Sequence, residues 1–212
     1  MATNAADIFP SIDAYLKLCA TKFETIPQSR KLALDELSNY IQQKLTKKQP
    51  VQLTFICTHN SRRSHFGQIW AQTAAAYYGV SAITCYSGGT EVTAFNSNAV
   101  NTLRLNGFVI TTTDNSSNPH YQVQYSNQHA AIDAFSKKYT DAPNPNKDYA
   151  AVLTCSHADE TCPIVFGAEA RLKIMYEDPK ISDGTPQQEA VYKERSQQIA
   201  TEMLYVFSRI KQ

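Results

Sequence analysis

The residues best suited to covalent chemistry lie in FICTHNSRRSHFGQIW, residues 55–70. Cys57 ends an apolar run, a polar loop follows, and Arg63 and Ser64 stand at its far end in a C-x5-R-S spacing. A loop that leaves a strand and enters a helix turns successive backbone N–H groups inward and adds the positive end of the helix dipole. Such a cup suits a tetrahedral oxyanion, phosphate or arsenate. Arg63, on the far lip, can hold two of its oxygens with a planar guanidinium. The same positive field favours a thiolate nucleophile at Cys57. Ser64 can donate a hydrogen bond to that sulfur, and Asn60 can brace the loop, because asparagine tolerates left-handed backbone. Thr58, His59, Ser61 and Arg62 complete the predicted oxyanion-binding loop, and Arg62 adds positive charge near its mouth.

A second group of thiols lies in LTCSHADETCPI, residues 153–164. Cys155 and Cys162 are seven apart, and the first closes a strand-like run. A metal site needs four ligands, and His157 alone is a thin supplement to two cysteines. A segment holding Ser, His, Asp, Glu and Thr is also poor core material. A dithiol relay, with one thiol near the oxyanion loop and its partner on a polar segment, accounts for both features. Nearby, MYEDPK places Asp178 before a proline, which restricts it to extended backbone and suits a carboxyl at a loop mouth. Glu177 is its nearest rival. Cys19 and Cys85 fall on apolar stripes and are expected in the core, as is Trp70.

These groups need a scaffold that gathers them. VQLTFIC (51–57), AITCYS (82–87), YAAVLTC (149–155) and RLKIMY (171–176) read as strands. SHFGQIWAQTAAAYYG, NSNAVNTLRLNG (capped by Asn96) and residues 187–210 read as intervening helices, and QHAAIDAFSKKY (128–139) reads as another. Strands alternating with helices imply a parallel sheet between helix layers, with ligands at the carboxyl ends of the strands. Cys57, Ser87, Cys155 and the segment after Tyr176 all lie at such ends. Upstream, Phe9, Ile12, Leu16 and Cys19, then Leu34, Leu37, Ile41 and Leu45, recur at helical spacing. The predicted architecture is an α/β three-layer sandwich on a central four-stranded parallel sheet. An N-terminal helical hairpin (1–49) precedes the catalytic domain (50–212).

Composition narrows the partners. The chain has 212 residues, 42% of them apolar, and a net charge of +1, so nothing electrostatic recommends nucleic acid or an anionic membrane. No run approaches the ~20 apolar residues of a membrane-spanning helix. Five cysteines without a secretory leader argue for a reducing, cytoplasmic setting rather than a disulfide scaffold.

CTHNSRRS resembles the phosphate-binding loop of the low-molecular-weight protein tyrosine phosphatases and of the arsenate reductases that share their fold. Thr58 and Ser61 match the reductase version. His59 replaces a glycine of the pattern, and Arg62 stands where a second loop cysteine is usual. CSHADETCP resembles the C-S-x-A-D-x-x-C-P element of thioredoxin-coupled arsenate reductases, and the likeness spans about residues 50–210. It implies reduction of arsenate to arsenite. Cys57 attacks arsenic, Arg63 and the loop amides hold the oxygens, and Asp178 protonates the departing hydroxyl. Cys155 then attacks Cys57, and Cys162 attacks Cys155, leaving a disulfide for thioredoxin to reduce. No metal or organic cofactor is implied. Some relatives bind potassium through a glutamate where this chain has Gln68. The alternative is hydrolysis of phosphotyrosine or another aryl phosphate through a phosphocysteine, with Cys155 protecting the nucleophile as a reversible disulfide. A non-catalytic oxyanion or redox sensor is a third.

Overall fold

Phe55, at the centre of the strand that delivers Cys57, touches the helix that receives the loop. A Cβ on Gly67 would come within 2.4 Å of the Phe55 ring, so the glycine lets helix and strand close on each other. The computed structural model describes residues 8–112, 114–156, 158 and 165–211. Strands β1 (Val51–Cys57), β2 (Ile83–Gly89), β6 (Tyr149–Leu153) and β7 (Ala168–Lys173) form one parallel sheet in the order β2-β1-β6-β7. All five residues of β6 and all but Gln52 of β1 are buried, as expected for strands covered on both faces. Inserted between β2 and β6, β3 (Val109–Thr111), β4 (Tyr121–Gln124) and β5 (Ile132–Ala134) make a separate antiparallel sheet.

Val51, Leu53, Phe55, Ala150, Val152 and Leu172 face a core shared with α2 (Gln28–Thr46), α3 (Arg63–Tyr77) and α5 (Gln188–Ser208). On the opposite face, Ile56, Tyr149, Ala151 and Leu153 pack with Tyr139, Ala158 and Val165. Ser156 and Ala158 on that side are helical, which gives the sandwich its third layer. α4 (Ser97–Leu105) starts where expected: the Asn96 side chain accepts hydrogen bonds from the backbone N–H groups of Asn98 and Ala99.

The N-terminal helices share this core. Ile12, Leu16 and Cys19 of α1 (Pro10–Ala20) and Leu34, Leu37 and Ile41 of α2 belong to the same buried cluster as Leu53 and Met203. Tyr15 stacks on Trp70 at 5.3 Å, and the indole donates to Ser196 Oγ at 3.0 Å. Cys19 and Cys85 are buried there, and burial raises both thiols above the usual range.

The helix expected over residues 128–139 is not formed. Ile132–Ala134 is strand β5, paired with β4 through Tyr121↔Ala134 and Val123↔Ile132. The AAIDAF stretch has helix-favouring residues, but its polar Asp133 faces outward to His120 and Gln122 while Ala134 is fully buried. That alternation suits a sheet, and pairing with β4 overrides local propensity. Residues 136–139 then run extended beside the Cys57 loop and the end of β2.

Candidate active site

The carboxyl ends of β1, β2 and β6 meet at one edge. Cys57 pairs with Gly89, and a Cβ at Gly89 would lie within 2.7 Å of the backbone of both Thr58 and Asn60. Gly88 is closed in by Tyr139 in the same way, at 2.3 Å. Bare backbone at these two positions lets the loop lie flat on the strand end.

Inside the loop, Asn60 has φ +43°, the left-handed conformation expected of it. Its neighbour His59 is not among the described residues with positive φ, so a side chain fits where the resembling loops have glycine. The orientation of the Asn60 amide follows from its neighbours. The Lys137 backbone N–H, which can only donate, lies 2.9 Å from Oδ1. Nδ2 therefore faces Ser64 Oγ, at 2.9 Å, and donates to it. The Ser64 hydroxyl keeps its own hydrogen available for Cys57 Sγ, 3.1 Å away, the direction that a thiolate there requires. Cys57 is 3% exposed, and its sulfur ends a chain of hydrogen bonds from Lys137 through Asn60 and Ser64 at the start of α3.

Arg63 and Asp178 meet across the mouth. Arg63 Nη2 donates to Asp178 Oδ2 at 2.7 Å, and Nη1 donates to the Tyr176 carbonyl at 3.1 Å. The other Asp178 oxygen accepts the Lys180 backbone N–H at 3.1 Å, starting the 3-10 turn Pro179–Ser182. Beside this pair opens a pocket of about 860 Å³ whose wall includes Ser156, Met175, Tyr176, Glu177, Lys180 and Ile181. Glu177, the rival acid, is displaced toward Arg195, 3.6 Å away.

The other loop side chains are used differently from the expectation. Arg62 does not add charge at the mouth. Its Nε donates to the Tyr192 hydroxyl at 2.6 Å and its Nη2 to Asp183 at 2.9 Å, partners 130 and 121 residues away that composition does not reveal. Burial and Asp183 push the Tyr192 phenol up to about 12, so it keeps its proton and donates to Asp183 at 2.7 Å. Ser61 Oγ donates to the Ala94 carbonyl, and the His59 imidazole lies 3.4 Å from Glu91. What Thr58, His59, Ser61 and Arg62 can offer an oxyanion is their backbone N–H groups.

Cys155 lies close. Its Sγ is 3.5 Å from Thr58 Oγ1, it accepts the Ala158 backbone N–H at 3.4 Å, and it shares a buried cluster with Cys57. Cys162, the expected second thiol of the relay, and His157 lie outside the described residues. Gln68 donates Nε2–H to the Cys85 carbonyl and is tied to the β2 backbone. Among the described residues, no group of three or more His, Cys, Asp or Glu side chains is arranged to hold a metal ion.

Two residues that sequence reasoning passed over support the loop. His65 is fully buried, stacked on Phe95 at 4.0 Å with Nδ1 3.2 Å from Ser87 Oγ. Burial, then the charge of Lys137, holds it well below the ordinary imidazole range, so it stays neutral. Lys137 is only 4% exposed, with its ammonium 4.4 Å from the Phe135 ring. Burial lowers it from 10.5 to about 8, with Asp133 opposing. Below pH 8 both folded and unfolded chains carry this charge, and only the folded one bears its desolvation. Between about 8 and 10.5 the folded lysine is neutral while the unfolded one keeps its proton, so the penalty fades as pH rises. Lys137→Met is expected to raise stability at pH 7 by about 1–3 kcal/mol, after subtracting the lost ring contact. Urea titrations at pH 7 and pH 10 check this, since the gain should shrink at the higher pH.

No protein-family model matches the chain, and no curated protein is recognisably similar in sequence. Solved structures are similar in fold. A low-molecular-weight protein tyrosine phosphatase from Bacillus subtilis superposes with a TM-score of 0.51 at 14% identity, covering 75% of this chain and 96% of that one. The YwlE arginine phosphatase from Geobacillus stearothermophilus gives 0.50 at 12%, covering 75% and 92%. A YwlE mutant from Bacillus subtilis gives 0.50 at 13%, covering 74% and 97%. The chain shares the low-molecular-weight phosphatase fold, and about a quarter of it lies outside each match.

Proposed function

On that fold, we propose that the chain is a phosphatase that hydrolyses phosphate monoesters through a phosphocysteine at Cys57. The observation that carries this reading is the meeting of Arg63 and Asp178, 2.7 Å apart, beside a pocket of about 860 Å³. Arsenate is a handful of atoms and needs no such space, whereas an ester brings an organic leaving group. In the first step the Cys57 sulfur attacks phosphorus as the P–O ester bond breaks. Asp178, in its acid form, gives its proton to the leaving oxygen. Water then attacks the phosphocysteine, Asp178 takes a proton from it, and phosphate and the free thiolate are restored. The loop N–H groups and Arg63 hold the equatorial oxygens throughout.

Arsenate reduction is the second reading, and Cys155 favours it. A thiol 3.5 Å from a loop hydroxyl and clustered with the nucleophile is well placed to attack a Cys57–arsenic adduct. That route releases arsenite, oxidises the two cysteines to a disulfide and draws its electrons from a dithiol protein such as thioredoxin. One pair of assays separates the two readings. Hydrolysis of p-nitrophenyl phosphate by wild type and Cys155→Ser alike, without arsenate-dependent NADPH oxidation in the presence of thioredoxin and its reductase, is the expected result. Arsenate turnover that Cys155→Ser abolishes would replace it with the reductase.

A further inference from the structure

We infer that Arg30, on the N-terminal hairpin, is a positioning residue for the Arg63–Asp178 pair; the inference rests on the reading of that pair as oxyanion clamp and acid. Arg30 reaches from α2 to α5, where Nε and Nη2 donate to the two carboxylate oxygens of Glu202 at 3.0 and 2.7 Å. The side chains are 19% and 4% exposed, so this fork is largely out of water. The fork sets the guanidinium plane over the Tyr176 ring, 4.7 Å from its centre. Tyr176 is the residue whose carbonyl accepts Arg63 Nη1, and Asp178 stands two residues further on. The backbone N–H of Tyr176 is fastened to the Thr154 carbonyl at the end of β6. Ring and backbone of one residue are thus both held, and Arg63 leans on the result.

The physical case is one of degrees of freedom. Between Lys173, the last residue of β7, and Pro179 the chain is irregular. Backbone bonds from Ile174 N–H to Leu153 and from Tyr176 N–H to Thr154 guide its start, and beyond them side chains fix its course. The Tyr176 ring is the large buried anchor in that stretch, and a flat guanidinium on its face resists the tilt that would carry the carbonyl away from Arg63. Lysine has the charge but neither the fork to lock onto Glu202 nor the plane to stack. The hairpin therefore contributes to the site across two helices without touching substrate.

The test uses the full chain. Removing one partner of a buried pair strands the other charge, so the informative variant is the double Arg30→Met/Glu202→Met, an apolar swap that buried ion pairs often tolerate without loss of stability. Arg30→Lys is the conservative companion. Calorimetric titration with tungstate, a non-hydrolysable oxyanion, is expected to show binding about tenfold weaker in both variants at unchanged melting temperature. Turnover of phenyl phosphate should fall more than that of p-nitrophenyl phosphate, because the poorer leaving group depends more on a well-placed acid. A merely structural role would lower both substrates equally. Wild-type tungstate affinity and an unaltered substrate ratio in a folded double variant would overturn the inference. A wild-type protein that neither binds tungstate nor hydrolyses either ester would instead remove the oxyanion-site reading, and this inference with it.

Discussion

Cys57→Ser is expected to abolish turnover of p-nitrophenyl phosphate, by on the order of 10⁴-fold or more, as the loss of a sole nucleophile does. The substitution replaces one atom in a site already shaped by Asn60 and Ser64, so tungstate binding and melting temperature should be nearly unchanged. Serine keeps a contact with Ser64 Oγ but lacks a thiolate, and an alkoxide at neutral pH is not available without a base. Among the described side chains, neither Ser64, which touches the sulfur, nor Asn60 behind it is a base. An amide does not take up a proton at neutral pH, and neither does a serine hydroxyl. Turnover of the variant within tenfold of wild type would remove Cys57 as the nucleophile, whatever the oxyanion affinity.

Asp178→Asn is expected to lower kcat for phenyl phosphate by about 10²–10³-fold, within the range for loss of a general acid. With p-nitrophenyl phosphate the loss should be smaller, because p-nitrophenolate leaves without full protonation. The same variant should bind tungstate more tightly. Asp178 Oδ2 holds Arg63 Nη2, one of the donors that an oxyanion would take, so an oxyanion competes with the carboxylate for it. Asparagine competes less well for a guanidinium than a carboxylate does. Measuring kcat and tungstate affinity on one preparation tests both halves. Weaker turnover with weaker binding would mean that Asp178 only holds the loop together.

Much of this was readable before any coordinates, and the reasons are local. The strand at Val51–Cys57, the Asn96 cap and the left-handed Asn60 follow from backbone preferences that a few neighbouring residues determine. Cys57, Arg63 and Ser64 lie within eight residues of one another, so their geometry was written in their spacing. The errors came from partners distant in sequence. Arg62 looked like a charge at the mouth because Tyr192 and Asp183, which draw it inward, are invisible to any window around residue 62. The 128–139 segment had helical propensity, and only its pairing with Tyr121–Gln124 made it a strand. Lys137 read as an ordinary surface lysine, yet it lies buried beside the loop, with its backbone N–H deciding which way Asn60 faces. Arg30 had no sequence signal at all, since its meaning depends on Glu202 and Tyr176.

The sharing of one core by α1, α2 and α5 also orders events during synthesis. The apolar faces of Ile12, Leu16, Leu34 and Leu37 emerge from the ribosome well before the α5 surface that packs on them. Until α5 is made those faces lack part of their native cover, and contacts this far apart in the chain are slow to close. The nascent protein therefore carries a pair of amphipathic helices that wait for α5. Sticky intermediates should accumulate in that interval, and slowing the ribosome ahead of Gln188 should lower the yield of folded protein more than slowing it earlier.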